Sequence, residues 1–542
     1  MLYAVDSKAS LKKFGLTQYR LRLKSNCGLW CGYLLLACKA LQEIKLVPIP
    51  ADADSGGVFE ETRTRWFGKG SRFDTVLRTL LPAPNSWCLP LLAMTLAILG
   101  LEPALQLYTS REVLIKSGAR KALQFGAIMV MAIDSTRRTV MVYTTVAKVC
   151  LCTLLTFGSY VITHYIVQNA PLSFTFGEAV VLVQGGALAV GGALISWDDS
   201  FRWSLPPLET ADDFIENEFQ TLFNVGIAIS VWIVVFSWLA YYYIKQWWLL
   251  FYVNLSLSLV CGYVYWGRIY QRDLLLFMLE FLSRSHERLL LLTFWSICTT
   301  GAMLYTVKVA SANYNGHLST SARKPYHLIV ILIYLSGLAI DPSILFVASV
   351  VIACVFMLLE TIRVLDIPPV SGSVAELLYR MRDEKDIGPL MLSHVYLLIG
   401  IFAPLWLQPP VVSMAPEMRQ NFDPQIVLSG LVSPYYAGVL SIGVGDAAAS
   451  LGGTMFGKHR WPGGNKKTWE GTICSMLAQV LAAVMLHFVT IHTNAPFAVS
   501  RDVTSANVMK VVSACVLSAL LEAATNHFDN LVLPLVMYCL LV

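Results

Sequence analysis

Val225-Gly-Ile-Ala-Ile-Ser-Val-Trp-Ile-Val-Val-Phe-Ser-Trp-Leu-Ala-Tyr-Tyr-Tyr-Ile244 runs without a single charged residue. A helix rises about 1.5 Å per residue, so roughly 20 apolar residues cross the ~30 Å hydrocarbon core of a bilayer. A soluble helix of that length needs a wet face, and this stretch offers none. Gln246–Gly267, Leu289–Val307, Pro342–Leu359 and Pro424–Gly445 repeat the pattern. Weaker candidates surround them: Ser86–Leu101, Val140–Thr163, Glu178–Ser196, Leu390–Ala415, Thr472–Ile491, Val511–Leu521 and Leu531–Val542. The expected fold is an all-α polytopic integral membrane protein with about 12–14 transmembrane helices.

Composition agrees. Hydrophobic residues make up 56% of the 542 and charged residues only 14%. Soluble chains carry charge on about a quarter of their residues, so the surface needed to face water is missing. The net charge of +5 is modest for this length and gives no nucleic-acid footprint. Twelve cysteines are scattered mostly singly, and neither close pair (Cys27 with Cys31, Cys150 with Cys152) has a second pair at zinc spacing. They read as small packing residues. Asn254-Leu-Ser256 matches a glycosylation sequon but lies inside an apolar run. Residues 1–85 form a polar N-terminal region whose one weak apolar segment, Cys27–Cys38, is cut short by Lys39. Residues 86–310 are N-terminal membrane helices, and residues 311–542 carry the chemistry.

Polar residues crowd into five clusters beyond residue 320: Arg323–His327, Asp383–His394, Gly443–Gly457, Lys458–Gly471 and Glu522–Asn530. Ionisable groups at or within membrane helices are costly and mark function by default. Even numbers of spans separate the clusters, which puts all five on one face. The loops of that face hold most of the Lys and Arg of this half, so it is expected to be cytosolic. Arg268–Arg288 is also basic and falls on the opposite face, unless it is an interfacial amphipathic helix.

Gly443-Val-Gly-Asp-Ala-Ala-Ala-Ser-Leu-Gly-Gly-Thr-Met-Phe-Gly457 places Asp446, Ala449, Gly453 and Gly457 on one helical face. Small residues there admit a neighbouring helix or a ligand close to the backbone. The sequel, His459-Arg-Trp-Pro-Gly-Gly-Asn-Lys-Lys-Thr-Trp-Glu-Gly471, adds basic side chains, glycines with accessible N–H groups and a carboxylate. Triphosphates need cations, backbone donors and a carboxylate-held metal ion. Gly452-x4-Gly457-Lys458 is not a P-loop: His459 stands where the metal-binding Ser or Thr belongs, and no strand–loop–helix unit surrounds it.

The run Asp446-x2-Ala449-x3-Gly453-x3-Gly457-x8-Lys466-Lys467-Thr468-x-Glu470-Gly471 resembles the CTP-binding signature of the dolichol kinase family. Three further blocks resemble that family in order: Arg323-Lys-Pro-Tyr-His-Leu328, Asp383-Glu-Lys-Asp-x-Gly388-Pro-Leu with Ser393-His-x-Tyr396, and Glu522-Ala-x-Thr525-x3-Asp529-Asn530-Leu-x-Leu-Pro534. Pro325-Tyr326 and Asn526-His527 depart from its common pattern, outside the central motif. The first 300 residues share only their many apolar spans. The resemblance implies a multi-pass enzyme of the endoplasmic reticulum membrane that transfers the γ-phosphoryl of CTP to the terminal hydroxyl of dolichol. The dolichyl phosphate formed would serve protein glycosylation. It also implies a divalent cation such as Mg2+, a CTP site on the cytosolic face within 443–471, and N-terminal helices that hold the lipid chain.

Under that resemblance the CTP-binding candidates are Gly453, Gly457, Lys466, Lys467, Thr468 and Gly471. Catalytic candidates are Asp446, Glu470, Asp529 and His394, with Asp446 and Asp529 also able to hold the metal. Glu470 reads equally as a helix cap. Arg323, Lys324, His327, Asp383, Glu384, Asp386, Glu522 and Asn530 complete the motif set; the three acidic residues of 383–386 could share a metal or line a solvated loop. A membrane cytidylyltransferase, a kinase of another lipid alcohol and a transporter are the competing readings.

Overall fold

A computed structural model describes residues 31, 34–38, 142–197, 211–244, 247–312, 320–380, 382–383, 385–407, 431–461, 467–492, 503–524 and 529–542. Its helices are α1 (Val142–Asn169), α2 (Phe176–Trp197), α3 (Ala211–Tyr243), α4 (Trp247–Tyr270), α5 (Leu274–Ser283), α6 (His286–Ala312) and α7 (Thr320–Ile340). They continue with α8 (Pro342–Val364), α9 (Ser371–Arg380), α10 (Ser393–Leu407), α11 (Ala447–Phe456), α12 (Trp469–His492), α13 (Ser505–Ala524) and α14 (Asp529–Leu541). A π-helical stretch, Val439–Asp446, runs directly into α11. Among the described residues there is no β-sheet, only a single antiparallel bridge between Arg460 and Thr468.

The protein is an all-α polytopic membrane protein. Eight helical segments of the described residues are long and apolar enough to cross a bilayer, and four shorter apolar helices accompany them. The expected Ser86–Leu101 span lies outside the described residues. One boundary moves: in place of Pro424–Gly445, the span is Pro434–Phe456. Asp446 looks like a polar stop in the sequence, yet the helical path continues through it. Ser475 Oγ donates to the Gly445 carbonyl at 3.0 Å and receives Gln479 Nε2 at 3.0 Å. A π turn frees such carbonyls from the regular ladder, and α12 supplies the partner.

The caps explain the short turns. Asp341 precedes Pro342 and accepts from the N–H groups of Ser343 (2.9 Å) and Ile344 (3.3 Å). An acidic cap with proline at the first helical position is a strong start signal. Thr175 and Glu178 form a reciprocal capping box at the head of α2. The basic Arg268–Arg288 stretch contains α5, whose Leu275, Leu276 and Leu279 face outward. Arg288 joins Asp341 at 2.5 Å and lies over the Phe281 ring. It therefore sits at the α7–α8 turn, the end of α7 remote from His327.

The core gathers on α7, α8, α10, the π segment and α14. Tyr334, Leu345, Ile401, Leu405, Leu440 and Tyr538 are fully buried there. Crossing points use glycine. A side chain on Gly400 would strike the Asn530 carbonyl, and one on Gly438 would stand 2.7 Å from the Ile401 Cα. Without a hydrophobic drive inside lipid, such close backbone packing is what associates helices. A helical turn at 34–38 joins this core: Cys38 Sγ lies 3.2 Å from Cys539 Sγ on α14. This turn of the N-terminal region thus packs on the C-terminal helices.

Candidate phosphoryl-transfer site

The site is assembled at the end of the bundle where α7, α10, α12 and α14 begin and α8 and α13 finish. Asp529, in the first turn of α14, is its centre. Its Oδ2 accepts from Lys385 Nζ at 2.9 Å and from Lys467 Nζ at 3.4 Å. Lys467 also donates to the backbone carbonyl of Glu522 at the end of α13. Asp446 lies close enough for its charge to act on Lys467. His327, in α7, has Nδ1 3.9 Å from Asp446 Oδ2. Four of the five polar clusters thereby meet directly, and the fifth, Asp383–His394, enters through Lys385.

Charge decides the state of Lys467. Burial alone pulls an ammonium pKa down, but the carboxylates of Asp529, Glu522 and Asp446 more than offset this. The lysine is held above its ordinary value and stays cationic.

The loop following the glycine-rich helix is a short hairpin. Trp461 N–H donates to Lys467 O at 3.1 Å and Trp469 N–H to His459 O at 2.9 Å. The two indoles stack with centroids 3.6 Å apart, and Trp461 Nε1 donates to Thr472 Oγ1 at 3.0 Å. Glu470 is drawn into this hairpin. Its carboxylate accepts from the His459 backbone N–H at 3.1 Å and meets His459 Nδ1 at 2.7 Å. Thr468 Oγ1 accepts from Gly471 N–H at 3.2 Å and so caps α12. Lys466 falls within 462–466, outside the described residues.

The small-residue face of α11 meets the head of α12. A Cβ on Gly453 would stand 3.2 Å from Thr468 Oγ1, and one on Gly471 would stand 2.7 Å from the Ala449 carbonyl. Gly457 is closed off by the Gly453 carbonyl and by Thr468 Cγ2 at 2.9 Å. Of the two occupants admitted by such a face, a helix takes this part of it.

Asp386 is the anchor of the acidic block. Its Oδ1 accepts from the N–H groups of Leu392 (3.0 Å) and Ser393 (3.3 Å). Its Oδ2 accepts from Asp383 N–H (3.2 Å) and Ser393 Oγ (2.5 Å). Asp383 Oδ1 in turn accepts from Lys385 N–H at 3.2 Å. Asp386 is spent on loop donors, and Glu384 lies outside the described residues. Among the described residues no group of three or more His, Cys, Asp and Glu side chains converges as a metal site. Glu360, missed in the sequence because it ends an apolar span, clamps the same loop: it takes the Met391 N–H at 2.6 Å and pairs with Arg363. His394 is in the first turn of α10, next to Ser393; Asn530 follows Asp529 in α14; the backbone of Arg323 and Lys324 opens α7.

The donor set suits a hard divalent cation in one place. Asp529 Oδ1 is buried with no hydrogen-bond partner among the described residues, and Asp446 adds a second carboxylate near Lys467. Mg2+ takes one or two protein carboxylates and fills its remaining positions with phosphate oxygens and water.

Comparison with known proteins gives the family. The family model described as dolichol kinase matches residues 134–446. The human protein named "Dolichol kinase" is 35% identical over 383 residues, which cover 68% of this chain and 65% of that protein. "Dolichol kinase EVAN" of Arabidopsis thaliana is 30% identical, covering 54% of this chain and 48% of its own. The "Dolichol kinase" of Saccharomyces cerevisiae is 27% identical over 48% of this chain and 43% of its own. The match thus spans less than two thirds of these relatives' lengths. No solved structure matches.

Proposed function

Because the chain belongs to the dolichol kinase family, we propose that it phosphorylates the terminal hydroxyl of dolichol with the γ-phosphoryl of CTP, giving dolichyl phosphate for protein glycosylation. The observation that carries this is the Lys385–Asp529–Lys467 cluster, in which motif blocks remote in sequence converge at one end of a membrane bundle. A polyisoprenoid alcohol stays in the bilayer and offers its hydroxyl at the interface. A water-soluble nucleotide must meet it there. We place this end on the cytosolic face of the endoplasmic reticulum membrane, in keeping with the basic loops.

The reaction forms a bond between the alcohol oxygen and Pγ and breaks the bond between Pγ and the β,γ-bridging oxygen. CDP leaves, and the hydroxyl proton goes to a base. Phosphoryl transfer asks the protein mainly for alignment and charge neutralisation. Lys467, kept cationic by its carboxylate neighbours, binds the phosphates, with Lys466 beside it in sequence. Gly453, Gly457, Thr468 and Gly471 fix the α11–α12 junction that presents Lys467. Asp529 and Asp446 are the residues that would hold a divalent cation. When bound, that cation neutralises charge on the phosphate oxygens. Asp446, beside His327, is also our candidate acceptor of the alcohol proton. Glu470 acts through the hairpin by holding His459, and His394 belongs to the mouth of α10.

The test is phosphoryl transfer by the purified, reconstituted chain, offered γ-labelled CTP, ATP and GTP against dolichol, phytol and diacylglycerol. Label in dolichyl phosphate from CTP alone is expected. Label in another lipid would retain the nucleotide site and discard dolichol.

A further inference from the structure

We propose that Lys385, a residue of the acidic block rather than of the glycine-rich motif, is a second cation of the nucleotide-phosphate site, paired with Lys467 across Asp529. The inference rests on the kinase reading for the identity of the ligand, and on geometry for the residue.

The Lys385 and Lys467 ammonium groups donate to the same oxygen, Asp529 Oδ2, at 2.9 and 3.4 Å. Two cations that close repel each other, so Asp529 is what holds them together. The Lys385 and Lys467 side chains are 34% and 27% exposed, against 14% for the Asp529 they share. A lysine ammonium has three donors. Lys467 directs two of its own to the Glu522 carbonyl and Asp529. Phosphate oxygens that reach this cluster meet two lysines already held on one carboxylate oxygen.

The loop bearing Lys385 is built to hold a position. Asp386 takes four hydrogen bonds from its own loop and the start of α10. Arg382 Nε donates to the Asp386 carbonyl at 2.7 Å. Glu360 and Arg363 grip the loop from α8 through Met391 N–H and the Pro389 carbonyl. The turn between α1 and α2 closes it from the other side: Leu390 N–H donates to Ser173 Oγ at 3.2 Å, and a Cβ on Gly388 would stand 2.7 Å from the Pro171 carbonyl. Three separate elements hold a loop whose Lys385 reaches Asp529. A surface lysine needing only solvation requires none of this.

The experiment compares wild-type, K385M and K385R full-length protein in lipid nanodiscs, titrating Mg2+–CTP and dolichol separately. Melting of each protein with and without Mg2+–CTP is measured in parallel. K385M is expected to raise KM for CTP at least tenfold at unchanged KM for dolichol, and to lose most of the melting shift. K385R is expected to recover KM to within about threefold, since it retains the charge. An unchanged KM for CTP in K385M, with kcat lowered equally in both variants, would mean that Lys385 only braces Asp529, and the proposal falls. Wild-type protein that Mg2+–CTP stabilises without phosphorylating dolichol, with the shift lost in K385M, would overturn the kinase reading and keep Lys385. A further readout needs no variant: acetylation of Lys385 by a water-soluble activated acetyl ester should slow at least fivefold under Mg2+–CTP, and equal rates would overturn the proposal.

Discussion

At the scale of single residues, the account turns on Lys467, Asp446 and Asp529. Lys467→Ala removes the half-buried cation and leaves Asp529 with Lys385 alone. We predict loss of transfer by about 100-fold or more, with protein abundance retained, measured in membranes with labelled CTP. Asp446→Ala is expected to do the same; wild-type rates in both would remove the assigned site. The carboxylates that raise the Lys467 pKa also predict a pH result. The folded-site ammonium deprotonates only above the usual lysine range, so its contribution to nucleotide affinity is complete at lower pH. KM for CTP should therefore stay flat between about pH 7 and 9. A rise across that window would show Lys467 losing its proton. These three residues were legible because each stands in a dense polar block. Lys385 also stands in such a block, but its partner is 144 positions away and nothing local distinguishes it from a solvated loop lysine. Glu470 illustrates a different limit. Spacing left cap and metal ligand equal, and only the fold brings it to His459.

At the scale of elements, the hairpin and the 382–391 loop matter most. Asp386→Ala would strand two backbone N–H groups at the start of α10 and free the loop that carries Lys385. A cost of about 2–4 kcal/mol is expected, since hydrogen bonds to a buried carboxylate are strong and unmade donors are penalised. It would be read as a lower unfolding midpoint in detergent, together with a smaller shift on adding Mg2+–CTP. Gly400→Val drives a side chain into the Asn530 carbonyl at the α10–α14 crossing. Overpacking of this kind costs about 1–3 kcal/mol or more, and the same melting assay measures it. Apolar runs made most of the described spans readable, because only a helix satisfies its own backbone in lipid. The end of Pro434–Phe456 was misjudged for the converse reason. A polar Asp446 suggests a terminus, whereas Ser475 of another helix sustains the path by taking the Gly445 carbonyl.

At the scale of the whole molecule, one end of the bundle carries the candidate site and the other carries the Arg288–Asp341 pair and α5. Single cysteines introduced at Lys458 and at Asp383 should react with an impermeant maleimide from the same side of sealed vesicles, and a cysteine at Gln271 from the opposite side. Labelling of Gln271 and Lys458 from one side would contradict the topology. The parity of spans and the basic loops made the single-ended arrangement readable in advance. The involvement of α1 and α2 was not: their turn reaches the 382–391 loop through Ser173, a contact of 217 positions' separation. The central claim is a CTP-dependent transfer to dolichol by a site containing Lys467. Its most direct measurement is label recovered in dolichyl phosphate from γ-labelled CTP, using wild-type and Lys467→Ala protein purified in parallel and shown to be equally folded. The account predicts dolichyl phosphate from the wild type, with none above background from ATP or from the variant. Equal labelling by both proteins, or transfer from ATP in preference to CTP, would contradict it.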